Sequence, residues 1–200
     1  MSKIKKILVM VLLAVTFTAC EELAQIANQA AQVMNLKNCT FDVTGVSDIN
    51  MLGINVSNGM NKGSLTTTQL INVTNALFNK KLPVTFNVNL DVDNPNSIAA
   101  SLGKMDYIIS LNNKEVISST FTDGFNIAPN SKGTISIPIS TDLFQLFSGE
   151  TADAVLNLAF KLAGAQSDPV NLGVKVKPYI KVNNQSLAYP DYITINKVLN

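Results

Sequence analysis

The sequence predicts an all-β protein with a few accessory helices, built as an antiparallel β-sandwich. One observation is the stretch from Leu82 to Asp93, where six apolar residues alternate without a break with polar ones, which is the period of a strand with one buried face. Another is that shorter alternating runs, separated by Asn, Gly and Pro residues that favour turns, fill much of the chain after residue 39. Burying six such side chains contributes roughly 9 to 18 kcal/mol before chain entropy is subtracted, so we expect this stretch to be the central strand.

The amino-terminal segment is typical of a secretory signal peptide. Three lysines precede an apolar run from 7 to 15, and small residues lead to Cys20; the run is too short for a permanent transmembrane helix. The residues before Cys20 resemble the cleavage motif of bacterial lipoproteins, although Phe17 stands where that motif usually has leucine. The resemblance implies a signal peptide over residues 1–19, acyl chains such as palmitate on Cys20, and a location in the cell envelope, anchored to a bacterial membrane, with the outer membrane favoured. An ordinary secretory signal that happens to carry a cysteine is the alternative.

Residues 20–35 are expected to form the lipidated cysteine and a spacer helix, because apolar residues recur at helical spacing from Leu23 to Met34. We expect residues 36–200 to form a single β-sandwich domain, which is long enough to bury a core without disulfide bonds. Its first strand contains Cys39, which falls in phase with the apolar residues after it. We interpret Cys39 as a small buried hydrophobe, since a reactive thiol would need a cationic neighbour and the sequence places none there.

Two elements are expected between this first strand and the central one. Apolar residues from Met51 to Val56 predict a short second strand that ends at Asn58-Gly59. A helix near 68–79 follows, because Thr66 or Thr67 can cap it and its apolar residues share one face. Two lysines come directly after this helix, and their charge is favourable beside the carboxyl end of the helix dipole.

Two hairpins are expected after the central strand. The first turns at Asn112-Asn113, since asparagine tolerates positive φ. The second would join a strand at 125–127 to an isoleucine-rich strand at 135–139 through a turn at Pro129. Pro138 has no N–H to give to a sheet ladder, so we expect the isoleucine strand at an edge, or with this position facing solvent.

The stretch from Val88 to Ser140 resembles the type 2 late embryogenesis abundant proteins, also called the water stress and hypersensitive response (WHy) domain. Four features carry the resemblance, namely Asn94-Pro95-Asn96 after the alternating strand, Tyr107 in the next strand, the polar turn at Asn112-Asn113, and Ala128-Pro129-Asn130 before the isoleucine strand. The pair Ser118-Ser119 stands where the family usually has a glycine. The resemblance implies a seven-stranded β-sandwich like immunoglobulin or fibronectin type III domains, no catalytic residues, and a link to stress tolerance.

Further helices are expected near 141–163. Asp142 can cap a short helix, and the run from Ala152 to Ala163 has an apolar stripe that ends before Gly164. Domains of the resembled family generally have less helix at this point. We interpret these helices as a lid packed over one end of the sandwich, with a flap over a bound ligand as the alternative. Alternating apolar residues from Val170 to Val182 then predict a return to strand.

The composition argues against catalysis and against nucleic-acid binding. The chain has 15 lysines, 14 acidic residues, no arginine and no histidine, and three of the lysines lie within residues 1–19. A strongly basic surface is therefore missing, and so is the arginine fork that binds phosphate bidentately. Without histidine the chain has no Ser-His-Asp triad, no Cys-His pair and no imidazole metal ligand, and no glycine-rich phosphate loop precedes a helix. We expect no enzyme activity, no cofactor and no nucleic-acid partner.

Oxygen-rich residues at the end of the central strand are weak candidates for a metal site. Asp91, Asp93 and Asn96 offer oxygens of the kind that calcium prefers, but the acidic and glycine positions of an EF-hand loop are absent. The outer face of a half-buried strand that ends in a turn explains the same residues.

A row of lysines lies on the later strand, at Lys175, Lys177 and Lys181. We interpret this row as a solvated face, with a contact to anionic lipid or polysaccharide as the alternative.

Together these features predict a non-catalytic envelope lipoprotein whose β-sandwich acts as a binding or stress-protective module. The membrane is expected as a partner through the lipid on Cys20. Two alternatives stay open, a carrier of an apolar or lipid-like ligand in a cavity under the 141–163 helices, and a protein-interaction module in a cell-surface assembly. The carrier would need an enclosed cavity, whereas the interaction module would need an exposed apolar edge or patch.

Overall fold

Two antiparallel β-sheets pack together and enclose one continuous apolar core. The computed structural model describes residues 35–36, 38–164, 169–182 and 185–199. The predicted signal peptide over 1–19, the predicted lipidation site Cys20 and the predicted spacer helix, apart from its last residue Asn35, lie outside the described residues. The predicted fold class, an all-β antiparallel sandwich with a few helices, is confirmed.

Strands make up most of the described chain. In order they are β1 (Thr40–Met51), β2 (Ile54–Asn55), β3 (Pro83–Asn94), β4 (Ala100–Leu102), β5 (Lys104–Leu111), β6 (Lys114–Phe121), β7 (Phe125–Ile127), β8 (Ser131–Asp142), β9 (Val170–Val182), β10 (Gln185–Ala188) and β11 (Ile193–Leu199). The four-stranded sheet has the order β2-β1-β3-β8. The five-stranded sheet has the order β10-β9-β5-β6, and β11 also pairs with β9. β4 and β7 form a separate two-stranded sheet.

β3 is the central strand that the alternation predicted. It pairs along most of its length with β1 on one side and with β8 on the other. Every second side chain is buried, and these side chains are Val84, Phe86, Val88, Leu90 and Val92. The same phase carries Asn94, the last residue of the strand, to a buried position as well. The predicted core strand is therefore confirmed, and it ends on a polar residue inside the core.

Among the described residues from Thr40 onward, three α-helices accompany the sheets, α1 (Thr67–Phe78), α2 (Leu143–Leu146) and α3 (Ala152–Leu162), and their positions confirm the helices predicted near 68–79 and 141–163. α1 begins with a capping box, in which the Thr66 hydroxyl accepts from the Gln69 backbone N–H and the Gln69 side chain accepts from the Thr66 N–H. None of the described helices combines the length and the apolar character needed to cross a membrane.

Two local predictions were wrong. The second strand was expected from Met51 to Val56, but β1 extends to Met51 and only Ile54–Asn55 forms β2, because Leu52 and Gly53 both take positive φ in a tight turn between them. The second hairpin was expected to pair 125–127 with the isoleucine strand. Instead β7 pairs with β4, while β8 pairs with β3 over its full length. Alternation identifies the buried face of a strand but does not identify its neighbour.

Two turn and edge predictions were correct. Asn112 and Asn113 both have positive φ and form a two-residue turn, since Leu111 pairs with Lys114 across it. Pro138 lies in β8, which is an edge strand of the four-stranded sheet. The immunoglobulin-like label that the resemblance implied is compatible with this architecture, although the described strands outnumber the seven that were expected.

Candidate functional site

The two ends of the sandwich are built differently. At the closed end β1 begins and β3 ends, and Thr40 pairs with Asp93. At the helical end β3 begins and β8 ends, Pro83 pairs with Asp142, and the helices connect to the sheets. A twelve-residue strand spans about 37 Å, so the two ends are far apart. The described chain starts at the closed end, where the backbone oxygen of Asn35 accepts a hydrogen bond from a side chain of that end.

Asn94 organises the closed end. It is fully buried at 0% exposed, and no other polar residue whose side chain the structure describes is buried. Its Nδ2 lies within hydrogen-bond distance of the backbone oxygens of Ile98 (3.0 Å), Ile127 (3.2 Å) and Ala128 (3.0 Å). Its Oδ1 accepts from the backbone N–H of Asn96 at 3.1 Å and from the Asn96 amide at 2.7 Å. One side chain thus joins the end of β3 to the loop after it and to the end of β7.

The rest of the motif Asn94-Pro95-Asn96 completes this arrangement. Pro95 brings no N–H that would need a partner at this crowded point. Asn96 donates from its side-chain amide to the backbone oxygen of Asn35 at 2.9 Å, which ties the incoming chain to the sandwich. The geometry gives the motif a structural role in closing this end.

Cys39 lies inside the same cluster. Its Sγ is 3.4 Å from the backbone oxygen of Asn35 and 3.8 Å from Oδ1 of Asn94. Burial raises the pKa of the Cys39 thiol, and the negative charge of Asp93 raises it further. Both effects favour the protonated thiol, and the predicted burial of Cys39 is confirmed.

The oxygen-rich candidates for a metal site bind different partners. Asp91 Oδ1 accepts a hydrogen bond from Thr134 Oγ1 at 2.6 Å, and Asp93 Oδ2 lies 3.3 Å from Lys132 Nζ. Asn96 bonds within the closed end instead. Across the part of the chain that the structure describes, no three His, Cys, Asp or Glu side chains cluster as metal ligands would. The arrangement favours the outer face of a strand over a calcium site.

The helices near 141–163 cover the helical end. α3 contacts β1 of one sheet and β9 of the other. Its buried side chains, which all belong to the core, are Val155, Leu156, Leu158, Ala159, Phe160 and Leu162. Asp142 caps α2, as predicted, since its Oδ1 accepts from the backbone N–H of Phe144, and the same oxygen accepts from the backbone N–H of Leu82. This packing is that of the lid that the sequence favoured.

An open cleft of about 320 Å³ lies beside α3. Its lining combines charged and apolar side chains, among them Asn112, Lys114, Phe147, Glu150, Leu158 and Lys161. Lys114 crosses the cleft wall, because its Nζ donates to the backbone oxygen of Leu146 at 3.2 Å and lies 5.0 Å from the centre of the Phe147 ring. A mixed lining of this kind suits a ligand that carries both polar and apolar groups.

A second groove, of about 300 Å³, runs between α1 and α3. The Nζ of Lys62 and a carboxylate oxygen of Asp153, 3.0 Å apart, form an ion pair beside it. The apolar side chains that line it are Leu70, Val73, Leu77 and Phe78 of α1 with Ala152 and Leu156 of α3. α1 fully buries only Val73, so much of its apolar face remains in contact with solvent.

The LEA_2 family model, described as late embryogenesis abundant protein, matches residues 89–188. This segment is half of the chain and runs from β3 to the end of β10. The chain belongs to the late embryogenesis abundant protein family. α1 precedes the matched segment, so this helix lies outside the part of the chain that the family model covers.

Several solved structures are similar to this late embryogenesis abundant protein at low identity. A protein from Archaeoglobus fulgidus is 11% identical with a TM-score of 0.33, and the match covers 77% of this chain and 95% of that one. AT1g01470 from Arabidopsis thaliana is 13% identical with a TM-score of 0.39, over 78% and 79% of the two chains. A candidate late embryogenesis abundant (LEA) protein, At2g46140.1, is 12% identical with a TM-score of 0.37, over 92% and 83%. No curated protein matches the chain.

The outer face of the five-stranded sheet carries a polar cluster around Asp106. The Tyr179 hydroxyl donates to Oδ2 of Asp106 at 2.6 Å, and the Thr120 hydroxyl donates to Oδ1 at 2.7 Å. Both hydrogen bonds lower the pKa of the Asp106 carboxyl, and the bond from Tyr179 has the larger effect. The hydrogen bond between Tyr179 and Asp106 also raises the pKa of the Tyr179 hydroxyl. The cluster joins three neighbouring strands across the outside of the sheet.

The row of lysines predicted on β9 lies next to this cluster. Lys175 is exposed, whereas Lys177 is half-buried and its Nζ lies 5.7 Å from the centre of the Tyr192 ring. The side chain of Lys181 lies outside the described part of the chain. Contact with an aromatic ring explains the position of Lys177 without a ligand.

Sequence reasoning missed two features of this late embryogenesis abundant domain. Asn94 was assigned to a turn, although it follows Val92 in the inward phase of the strand and that phase predicts burial. The apolar residues of α1 were assigned to one face of the helix, without a distinction between buried and exposed ones. Phe78 is nevertheless 87% exposed, and no pattern within the helix distinguishes an exposed apolar residue from a buried one.

Proposed function

We propose that this late embryogenesis abundant protein is a non-catalytic binding module of the bacterial cell envelope, held at the membrane by acyl chains on Cys20. The observation that carries the proposal is the difference between the two ends of the sandwich. The chain arrives from the amino-terminal side at the closed end, where the buried Asn94 side chain bonds to Ile127 and the Asn96 side chain bonds to Asn35. Both grooves described above lie along α3, at the helical end. Family membership supports a stress-related role for this binding.

The lipid anchor is tested by changing the cysteine that would carry it. Cys20→Ser should abolish metabolic labelling with palmitate and release the protein from the membrane fraction. Cys39→Ser is the matched control, because Cys39 is buried at the closed end and should leave labelling and membrane association unchanged. Continued labelling of the Cys20→Ser protein would contradict the anchor.

The cleft beside α3 supports a partner that is a polypeptide segment rather than a buried acyl chain. The cleft is open and lined by both charged and apolar groups, and the apolar side chains of α3 are taken up by the core. A carrier of an apolar ligand needs an enclosed cavity, which the packed face of α3 does not favour. A copurifying lipid-like mass in native mass spectrometry would favour the carrier function instead.

Site-specific photo-crosslinking tests the cleft directly in living cells. A photoreactive phenylalanine analogue at Ala154, which is exposed and lines the cleft, should give one discrete protein adduct. The same analogue at Ser118, exposed on β6 away from α3, should not give that adduct. Ala154→Trp in a strain with a crosslinker at the neighbouring Glu150 should remove the adduct by filling the cleft. The absence of any adduct from the cleft positions would contradict a protein partner there.

A further inference from the structure

α1 presents an apolar surface that the described part of the chain leaves uncovered. Phe78 is 87% exposed, Ile71 is 55% exposed and Leu70 is 37% exposed. Ile71 and Phe78 are seven residues apart, so they share one side of the helix two turns from each other. Isolated exposed apolar residues are ordinary, but a group of large ones on a single helix marks a contact surface.

The charges that lie near α1 in sequence all have one sign. No acidic residue occurs from residue 49 to residue 90, whereas three lysines do. α1 itself carries no charged side chain, and the exposed Lys80 and Lys81 follow it directly. The third lysine, Lys62, is paired with Asp153 of α3. An uncharged apolar helix that ends in two exposed lysines is complementary to a surface that is apolar inside and negatively charged outside.

The shape and size of the surface distinguish between possible occupants. Fully exposed side chains of this kind offer up to about 150 to 250 Å² each, so the three together expose on the order of 300 to 400 Å². A stable protein interface buries about 800 Å² on each partner, so these three side chains supply at most about half of the area that would hold a second copy of the chain. Phe78 also projects from the surface. A projecting aromatic side chain fits a deformable lipid surface without needing a matching cavity.

We propose that α1 docks on an anionic lipid bilayer, with Ile71 and Phe78 entering the boundary between headgroups and acyl chains and with Lys80 and Lys81 contacting the headgroups. This proposal rests on the lipid anchor proposed above, because that anchor would hold the protein next to a membrane. The fourteen residues between Cys20 and Asn35 can span at most about 46 to 50 Å, and β3 spans about 37 Å. The anchor and α1 can therefore reach one membrane, with the sandwich lying on its side.

A single tryptophan reports this docking, because the chain contains none of its own. Phe78→Trp in the full chain should shift its fluorescence to the blue, and brominated lipid in vesicles of phosphatidylglycerol and phosphatidylcholine should quench it. Leu187→Trp is the matched control, since Leu187 is 46% exposed on β10 at the closed end. An unquenched Phe78→Trp chain, or equal quenching of the two variants, would overturn the proposal.

The electrostatic part of the contact is tested in the same assay. Vesicles of phosphatidylcholine alone should quench the Phe78→Trp chain far less, and raised salt should weaken the contact. Since each lysine beside an anionic surface contributes about a fivefold change in affinity, Lys80→Gln with Lys81→Gln should weaken binding roughly 30-fold. Unchanged binding in this double variant would overturn the role of the lysines.

The anchor and the docking surface are separated by adding Cys20→Ser to the Phe78→Trp chain. Quenching by preformed anionic vesicles should persist in this chain, because α1 supplies the contact independently of acylation. If Cys20→Ser leaves palmitate labelling intact while the introduced tryptophan is still quenched, the lipid anchor fails and the docking surface stands. If labelling is lost and the tryptophan is never quenched, the docking surface fails and the anchor stands.

Discussion

Replacing Asn94 with aspartate tests the role of the closed end most sharply. The change keeps the shape of the side chain but puts an oxygen where Nδ2 now faces the backbone oxygens of Ile98, Ile127 and Ala128. A buried acceptor left without its donor costs about 1 to 3 kcal/mol. If the buried oxygen of Ile127 is counted in full and the two partly exposed ones at about half, the loss is about 2 to 6 kcal/mol. This is a large share of the roughly 5 to 15 kcal/mol by which domains are typically stable.

The free energy of unfolding of the Asn94→Asp protein, measured by urea denaturation, provides the assay. Asn89→Asp is the matched control, because it makes the same change in the same strand, and the Asn89 oxygen that accepts from Ser136 is retained; we expect it to stay within about 0.5 kcal/mol of the original chain. Burial should raise the pKa of the carboxyl introduced by Asn94→Asp, so the destabilisation should shrink as pH falls and that carboxyl becomes neutral. A loss below about 1 kcal/mol at neutral pH would refute the assignment of Asn94 as the residue that closes this end.

Three further changes have defined outcomes. Lys80 has a positive φ just after α1, so Lys80→Gly should raise the free energy of unfolding by about 0.5 to 1 kcal/mol. A lower melting temperature of the Lys80→Gly protein would contradict the claim that the Lys80 backbone is strained. A Cβ on Gly133 would lie 2.7 Å from the Phe125 ring, so Gly133→Ala should cost about 1 to 3 kcal/mol in urea denaturation; a neutral result would mean that the ring moves aside freely. Because the pKa of Asp106 is lowered in the folded protein, the ionised carboxyl stabilises the fold at pH values above the ordinary pKa of aspartate. This stability is lost as the pH falls through the lowered pKa. Tyr179→Phe should therefore raise that pKa toward its ordinary value and destabilise the protein at neutral pH but not in strong acid; NMR titration of the carboxyl tests this, and an unchanged pKa would contradict it.

The sequence predicted the faces of the strands better than their partners. The alternation through Phe86 and Leu90 places both side chains in the core, and asparagines at the β5–β6 turn adopt the positive φ expected of them. The pairing of β7 with β4 was not predictable in this way, because the partner of a strand depends on contacts across the whole fold. The bonds of Asn94 to Ile127 and Ala128 join residues more than thirty positions apart, and no local pattern encodes that distance.

The candidate site was predicted in outline only. The apolar stripe of α3 correctly indicated helices that pack over one end, because a stripe of that width must bury itself against the core. A cavity at these helices was foreseen only as an alternative, and the lining of the cleft beside α3 was not, since it comes from the β5–β6 turn, the segment after α2 and α3, which lie apart in sequence. Cys39 shows the opposite case, because its phase alone predicted burial and the raised pKa of the thiol follows from that burial.

The position of Pro138 in β8 has a consequence for the membrane-held protein proposed above. Among the described strands β8 pairs with β3 alone, and an edge strand with free N–H and carbonyl groups is a template on which a neighbouring molecule can add its own strand. Proline in such a strand withholds a donor and interrupts that template. Replacing Pro138 with threonine would restore an uninterrupted template twelve residues long, so copies concentrated at a membrane would begin to aggregate edge to edge even though each one remained folded.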